Sequence, residues 1–231
     1  MSKYSISNFL NETAQRDDRN EPFELENPYL LEANLDGLVW AKLGSMIAYD
    51  GNIKFEREGI LQGGIGNFLK KTMTGEASPM MKAQGKGRVY FADAGKKVKI
   101  MHLSGESLYV NGNNVLAYQE SIKSEIKLMK RMAGIAAGGL FNILLSGHGA
   151  IAITTHFDPI TLRVTASNPV FTDPNATVAW SSTLQPEIKT DISFKTFFGR
   201  GSGESFQLAF RGDGWVVLQP FEEIYQVAEK G

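Results

Sequence analysis

The sequence has no cysteine and only three histidines, and both scarcities exclude chemistry. Without cysteine the chain forms no disulfide, no thiolate zinc site, no iron–sulfur cluster and no thiolate nucleophile. His102, His148 and His156 share no spacing known from metal-binding motifs such as His-X-His. We therefore expect neither a metal site nor a cofactor.

An excess of charge is also missing. Lysine and arginine total 24, aspartate and glutamate total 25, and the formal net charge is −1. This balance gives no long-range field that would gather nucleic acid, so we expect no nucleic-acid partner. Residues 1–22 contain no apolar core of signal-peptide length, which predicts a cytoplasmic location.

Catalytic motifs are equally scarce. The glycine-rich segment 199–205 lacks the Gly-Lys-Ser/Thr ending of a phosphate-binding loop. Ser202 does not lie in the Gly-X-Ser-X-Gly pattern of a nucleophile elbow. Carboxylates are scattered, and no general acid–base pair can be assigned. The sequence therefore predicts a non-enzymatic protein without catalytic or cofactor-binding residues.

The sequence has instead a repeated glycine pattern. A Gly-X-Gly triplet occurs three times, with apolar residues alternating on both sides, which is typical of a β-hairpin with a glycine turn. By this interpretation Arg211-Gly212-Asp213 is part of a turn and not an adhesion motif. The predicted hairpin turns, near 85–87, 147–149 and 212–214, are formed by Gly85, Gly87, Gly147, Gly149, Gly212 and Gly214.

Longer self-similarity accompanies the triplets. Residues 107–127 align with residues 169–189. Short alternating strands at this density predict an all-β protein of barrel or sandwich type. We expect three quasi-repeated β units, laid out along the chain as a half unit, two full units and a half unit. In that layout the C-terminal hairpin pairs with the N-terminal half unit.

The domain organisation follows from the same pattern. Residues 1–27 are predicted to form a polar N-terminal arm with the composition of a mobile segment. Residues 28–231 are predicted to form a single all-β domain with internal repeats.

Three junction segments, 65–76, 126–139 and 194–204, combine bulky apolar residues, cations and glycine. Core packing, an oligomer interface and membrane contact are all open alternatives for them, because exposed apolar patches mark partner or membrane surfaces. The candidate interface residues are Leu128, Met129, Met132, Ile135, Leu140, Phe141, Phe197 and Phe198.

The three triplets, the segment GSMIAYDGNI and the junctions KTMTGE and GRGSGES resemble the Altered Inheritance of Mitochondria twenty-four family. The resemblance covers roughly residues 28–220. It implies units of double-stranded β-helix type, with a fold like that of the tryptophan RNA-binding attenuation protein. It also implies oligomers in some members, and a link between mitochondrial members and inner-membrane organisation. It implies no enzymatic activity and no agreed functional residues.

Three functions are consistent with this sequence. The first is a non-enzymatic assembly or scaffold protein that acts as a homo-oligomer. The alternatives are a β-helix protein that binds an unidentified small molecule, and a peripheral protein at a membrane surface. An oligomer without ligand, a co-purifying small molecule, or salt-dependent binding to anionic vesicles would distinguish the three.

Overall fold

The structure is a computed structural model that describes residues 3–16, 21–57, 80–128, 141–190 and 206–223. Strands dominate this part of the chain, and one short helix, α1 (Ile6–Glu12), precedes them. The strands are β1 (Phe23–Asn27), β2 (Leu30–Lys42), β3 (Met46–Arg57), β4 (Met80–Phe91), β5 (Lys97–Asn111), β6 (Val115–Gln119), β7 (Ile122–Leu128), β8 (Phe141–Thr155), β9 (Ile160–Val164), β10 (Val170–Thr172), β11 (Thr177–Ser181), β12 (Glu187–Thr190), β13 (Phe206–Phe210) and β14 (Gly214–Leu218).

Eleven of these strands form one sheet, in the order β3-β4-β2-β6-β8-β5-β11-β14-β9, with β1 beside β2 and β7 beside β8. The other three form a second sheet in the order β10-β13-β12. Neighbouring strands run antiparallel in both sheets. Antiparallel sheets bury one face, which matches the alternating sequence pattern. The prediction of an all-β protein is confirmed.

The first Gly-X-Gly triplet lies inside a continuous strand. β4 runs unbroken between β2 and β3 and pairs with both along its length. Gly85 and Gly87 approach β3 so closely that a Cβ on either glycine would overlap a carbonyl oxygen, that of Asn52 or Asp50. Glycine is required because two backbones pass at close range. The hairpin turn predicted at this triplet is wrong.

The other two triplets also depart from the hairpin prediction. Gly147 and Gly149 lie inside β8, which pairs with β5 on one side and with β6 and β7 on the other. The third triplet follows β13 and leads into β14, but these strands belong to different sheets. Arg211-Gly212-Asp213 therefore connects two sheets and does not close a hairpin.

The termini pair differently from the prediction. In the part of the chain that the structure describes, β13 pairs with β10 and β12, and β14 pairs with β9 and β11. The expected pairing of the C-terminal hairpin with the N-terminal half unit is therefore wrong. The predicted arm over residues 1–27 is also too long, because Phe23–Asn27 forms β1 and pairs with β2. Phe23 is buried, and its burial explains why this segment joins the sheet.

A one-residue register shift recurs where three strands meet their neighbours. Such a shift marks a β-bulge, which bends the strand and increases its twist. Each shift ends at an alanine that an aromatic residue follows. The three sites are Met46 to Ala48 before Tyr49 on β3, Val115 to Ala117 before Tyr118 on β6, and Thr177 to Ala179 before Trp180 on β11.

The buried apolar side chains form three clusters. The first centres on β2 and β4 and includes Leu31 and Phe91. The second centres on β5 and β8, and the third on β11, β13 and β14. Leu116 and Ala117 of β6 belong to the first cluster, although β6 follows β5 in the chain. β6 therefore connects the first cluster with the strands of the second.

Candidate functional site

Five ionisable side chains from distant parts of the chain meet in one cluster. They come from the end of β2 (Lys42), the turn between β4 and β5 (Asp93 and Lys96), the residue after β8 (His156) and the segment after β14 (Glu223). Lys96 enters this turn through a hydrogen bond of 2.8 Å from its N–H to the carbonyl oxygen of Asp93.

Asp93 is the centre of this charge cluster. Its carboxylate accepts hydrogen bonds from Lys42 Nζ at 2.8 Å and from Thr154 Oγ1 at 2.7 Å, and Lys96 Nζ lies 3.8 Å away. Burial alone would raise the pKa of Asp93, but Lys42, Thr154 and Lys96 together hold this pKa below its usual value. The carboxylate is therefore charged at neutral pH, although its side chain is only 11% exposed.

The remaining members complete the cluster from the other side. Lys96 forms an ion pair with Glu223, and His156 Nε2 lies 3.8 Å from the same carboxylate. The His156 ring packs at a tilt against Phe221, with 4.0 Å between ring centroids. Burial, followed by the charge of Lys96, lowers the pKa of His156. Buried charges are costly unless they are paired, and here two lysines pair with two carboxylates. The cluster thus ties β2, β8 and the segment after β14 together.

A second polar cluster lies near the start of β2, where β1 and β4 pair with it. Glu32 is 2% exposed and accepts a hydrogen bond of 2.9 Å from Gln15 Nε2. Burial, and then its contact with Glu26, raises the pKa of Glu32. Burial, and then the charge of Glu32, raises the pKa of Tyr90 to about 12. Oε1 of Glu26 is buried without a hydrogen-bond partner among the described residues, while its Oε2 accepts a hydrogen bond of 2.9 Å from the Arg16 N–H.

Two aromatic contacts lie where β2 pairs with β6 and where β5 pairs with β11. Trp40 of β2 lies opposite Tyr118 of β6, and their rings stack at a centroid distance of 6.3 Å. Tyr109 of β5 lies opposite Trp180 of β11, and their rings stack at 5.5 Å. Tyr118 and Trp180 are both 3% exposed. Stacked aromatic pairs contribute about 0.5–1.5 kcal/mol beyond the area that they bury.

Four strands end the two sheets among the described residues, namely β3, β9, β10 and β12, and we consider β3 and β10 here. β3 pairs only with β4, and β10 pairs only with β13. β3 exposes the side chains of Met46, Ile47 and Tyr49, and β10 exposes that of Phe171. A sheet edge of this kind is a template for pairing with another strand. These edges are the candidate interaction site.

A shallow hollow lies at the other end of the large sheet. Thr161 and Arg163 of β9 line it together with Asp213 and Trp215 near the start of β14. It contains two opposite charges and a half-buried indole, but it is open to solvent. Arg211 of the same connection is exposed, and Thr183 Oγ1 donates to the carbonyl oxygen of Asp213 at 2.8 Å.

Comparison with known proteins identifies the family of this chain. A family model described as mitochondrial biogenesis AIM24 matches residues 23–221. The chain belongs to this family. The crystal structure of protein SPYM3_0169 from Streptococcus pyogenes is similar, with a TM-score of 0.70 and 21% sequence identity over 87% of this chain and 92% of that chain. At this identity the likeness shows the fold alone. No curated protein matches the sequence.

Membership of this family confirms the resemblance found in the sequence, and its match begins at Phe23, where β1 begins. Of the predicted interface residues, Leu128 and Phe141 pair with each other at the ends of β7 and β8. The other six predicted interface residues lie outside the described residues. The charge cluster and the edge aromatics were not predicted, because their members lie far apart in the sequence.

No helix in the described part of the chain combines the length and the apolar character needed to cross a membrane.

Proposed function

We propose that this protein is a non-enzymatic assembly protein, built from three quasi-equivalent β units, that works by self-association through sheet edges. The proposal takes the units to be complete: β2–β4, β5–β8 and β9–β14. This division into three complete units replaces the predicted layout of a half unit, two full units and a half unit. The same proposal takes each unit to be a double-stranded β-helix, as the family resemblance implies.

Corresponding pairings support three units. In the first, β4 lies between β2 and β3. In the second, β8 lies between β5 and the pair β6 and β7. In the third, β13 and β14 together lie between β9 and β10 on one side and β11 and β12 on the other. The register shift before an alanine and an aromatic residue occurs once in each unit.

The exposed edge of β3 is the observation that carries self-association. Every residue from Met46 to Asn52 is exposed, and the segment includes three large apolar side chains. Natural proteins protect long edge strands with charges, prolines or covering segments, because uncovered edges recruit other strands. On β3 the charged residues begin only at Asp50, and no described residue of another strand covers Met46, Ile47 and Tyr49, as expected of a surface that binds a partner.

Native mass spectrometry of the full-length protein, at several concentrations, tests this function. We expect a defined homo-oligomer with no added small-molecule mass. A monomer at every concentration would contradict the assembly function. Ile47→Lys should weaken the oligomer because it places a charge on the edge, whereas Phe157→Lys, at an exposed apolar position between β8 and β9, is the matched control.

Two further functions remain candidates, each with one observation in its favour. The hollow beside Arg163 and Asp213 could hold a small polar molecule, and a reproducible added mass in the same spectra would support it. Helix α1 exposes Ile6, Phe9 and Leu10, as a membrane-surface helix does, and binding to anionic vesicles would support peripheral membrane association. A cytoplasmic location stays a prediction.

A further inference from the structure

We propose that the hollow beside β9 and β14 binds a small zwitterion, a molecule that carries one carboxylate, one ammonium group and an apolar part. This inference names a ligand class for the hollow, and it is independent of the proposed self-association, because no residue of the hollow belongs to β3 or β10. It follows from the two charges that line the hollow, from the indole beside them and from the corresponding positions of the first and second units.

The two charged side chains of the hollow have no partner within the described chain. Arg163 and Asp213 both line the hollow, and both are exposed. Neither side chain forms a hydrogen bond or an ion pair with a residue that the structure describes, and they do not pair with each other. A guanidinium group binds a carboxylate through two parallel N–H···O bonds, and a carboxylate binds an ammonium group. A ligand that satisfies both side chains therefore carries both charges.

An indole ring supplies apolar surface at the same place. Trp215 lies directly opposite Arg163 in the pairing of β14 with β9, and it is half-buried. Its ring packs against the second core cluster and also lines the hollow. Indole rings contact apolar groups favourably and attract cations to their faces. Thr161 adds a hydroxyl group that can donate or accept a hydrogen bond.

The turn that carries Asp213 is fixed by hydrogen bonds to the end of β11 and the residues after it. Thr183 Oγ1 donates to the carbonyl oxygen of Asp213 at 2.8 Å, and the Trp215 N–H donates to Ser181 Oγ at 3.1 Å. Between these two bonds, Gly214 packs so closely that a Cβ there would overlap Ser181 Oγ. Groups that are fixed before a ligand arrives lose little conformational entropy when it binds.

The first unit pairs its charges at the corresponding positions. Its triplet has Lys86 where the third triplet has Asp213, and the residue after its triplet is Arg88. Lys86 lies 3.6 Å from the carboxylate of Asp36, and Arg88 lies 3.1 Å from that of Asp50. The fold can therefore place charged residues around a triplet and satisfy them within the chain. In the third unit the described residues leave both charges without a partner.

The second unit forms the same strands without the indole or the guanidinium group. The residue after its triplet is Ala150, which is fully buried and lies opposite His102 of β5. In the third unit these two positions hold Trp215 and Arg163. Because the sheet forms with either pair, folding alone does not account for the indole and the arginine of the third unit. A binding role accounts for both.

Fluorine NMR of the full-length protein labelled with fluorotryptophan tests the site, because the sequence has only three tryptophans. Trp215→Phe assigns the signal from the hollow, and the signals of Trp40 and Trp180 report whether each variant is folded. Titration is the suitable measurement, because an open hollow exchanges its ligand with solvent. The probe is phenylalanine, compared with phenylpropionate, which lacks the ammonium group, and phenylethylamine, which lacks the carboxylate.

We expect phenylalanine to shift the Trp215 signal until it saturates. Each comparison compound should bind at least about tenfold more weakly, because each leaves one charge of the hollow unpaired. Arg163→Gln should remove the advantage of phenylalanine over phenylethylamine, and Asp213→Asn its advantage over phenylpropionate. Arg211→Gln is the matched control, because Arg211 is an exposed arginine of the same connection that does not line the hollow. This variant should bind phenylalanine as the unsubstituted protein does.

Three results would overturn the inference. If phenylalanine leaves the Trp215 signal unchanged, the hollow does not bind this class of molecule. If the three compounds bind equally, the ring contact alone is responsible and the two charges have no role. If Arg211→Gln weakens binding as much as Arg163→Gln, the effect is one of general positive charge. None of these results bears on self-association, which native mass spectrometry measures separately.

Discussion

Gly51 and Gly87 lie directly opposite each other on β3 and β4, and a Cβ on Gly51 would come within 2.8 Å of the Gly87 Cα. On the other side of β4, Gly85 lies opposite Gly37 of β2, and all four glycines have positive φ. The Tyr49 and Phe55 rings have a centroid distance of 5.2 Å although the two residues lie on either side of Gly51 in β3, so β3 bends between them. A glycine pair therefore shapes the exposed edge of the first unit.

Substitution of Gly51 by alanine should destabilise the protein strongly. Gly51 has a φ of 91°, and its Cβ would also overlap the carbonyl oxygen of Lys86. Gly37→Ala is the matched control, because Gly37 has a φ of 134° but open space around it. We expect about 1–3 kcal/mol of lost unfolding free energy from backbone strain in the control. Gly51→Ala should lose clearly more, measured by urea unfolding. Equal losses would contradict the close approach.

The charge cluster predicts acid sensitivity that depends on Asp93. Because the folded protein holds the pKa of Asp93 below the ordinary 3.8, this carboxylate contributes stability above that value and loses it as the pH falls through the folded pKa. Lys42→Met leaves the buried carboxylate poorly compensated, and we expect a loss of about 3–5 kcal/mol. Asp93→Asn should also destabilise, and it should flatten the acid limb of stability against pH.

An exposed ion pair provides the control for this prediction. Lys86 and Asp36 lie 3.6 Å apart, and both side chains are more than 80% exposed, at 81% and 82%. Asp36→Asn should change stability by less than about 1 kcal/mol. A double-mutant cycle of Lys42→Met and Asp93→Asn should show strong coupling, because each single change leaves its partner buried. Additive effects would mean that the two residues do not act as a pair.

The Glu26–Glu32 pair predicts the opposite pH dependence. The folded pKa of Glu32 is raised above its ordinary 4.5, so the folded state holds a proton that the unfolded state releases first. Stability therefore falls as the pH rises from about 4.5 through the folded pKa. Glu32→Gln stays neutral and can donate to Glu26, so it should remove this decline. Urea unfolding from about pH 4.5 to about pH 8 measures it. Glu24→Gln, directly opposite Glu32 on β1, is the control and should keep the decline.

How far the sequence predicted the fold is clearest at the glycine triplets. Their alternation was recognised, but a turn and a bend inside a strand both need glycine. The signal that distinguishes a turn from a bend is the phase of the apolar alternation. Ala83, Gly85, Gly87 and Val89 are successive odd-numbered positions of one alternating pattern. A strand that continues through the triplet keeps this phase. In the third unit the same phase is kept, yet the strand divides between two sheets, and nothing in the triplet itself predicts that division.

The sites were less predictable, because their members converge only through pairing. Lys42, Asp93 and Glu223 lie in three separate parts of the sequence, and no motif connects them. Nothing in the sequence around Tyr49 and Phe171 distinguishes them from the aromatic residues that are buried. Only the register across β4 and β13 shows that they occupy the positions of Tyr118 and Tyr109 without the covering strand.

Trp180 provides a last test, because it combines a packing role with an unpaired polar group. Its ring contacts Phe210 at a centroid distance of 5.5 Å, and its Nε1 is buried without an acceptor among the described residues. Trp180→Ala should cost about 3–5 kcal/mol of unfolding free energy, because it leaves a cavity. Trp180→Phe keeps most of the ring and removes an N–H group whose burial costs about 1–3 kcal/mol. We therefore expect Trp180→Phe to be much less destabilising in urea unfolding. If both variants lose the same stability, the N–H group has a partner in solution and the third cluster packs differently.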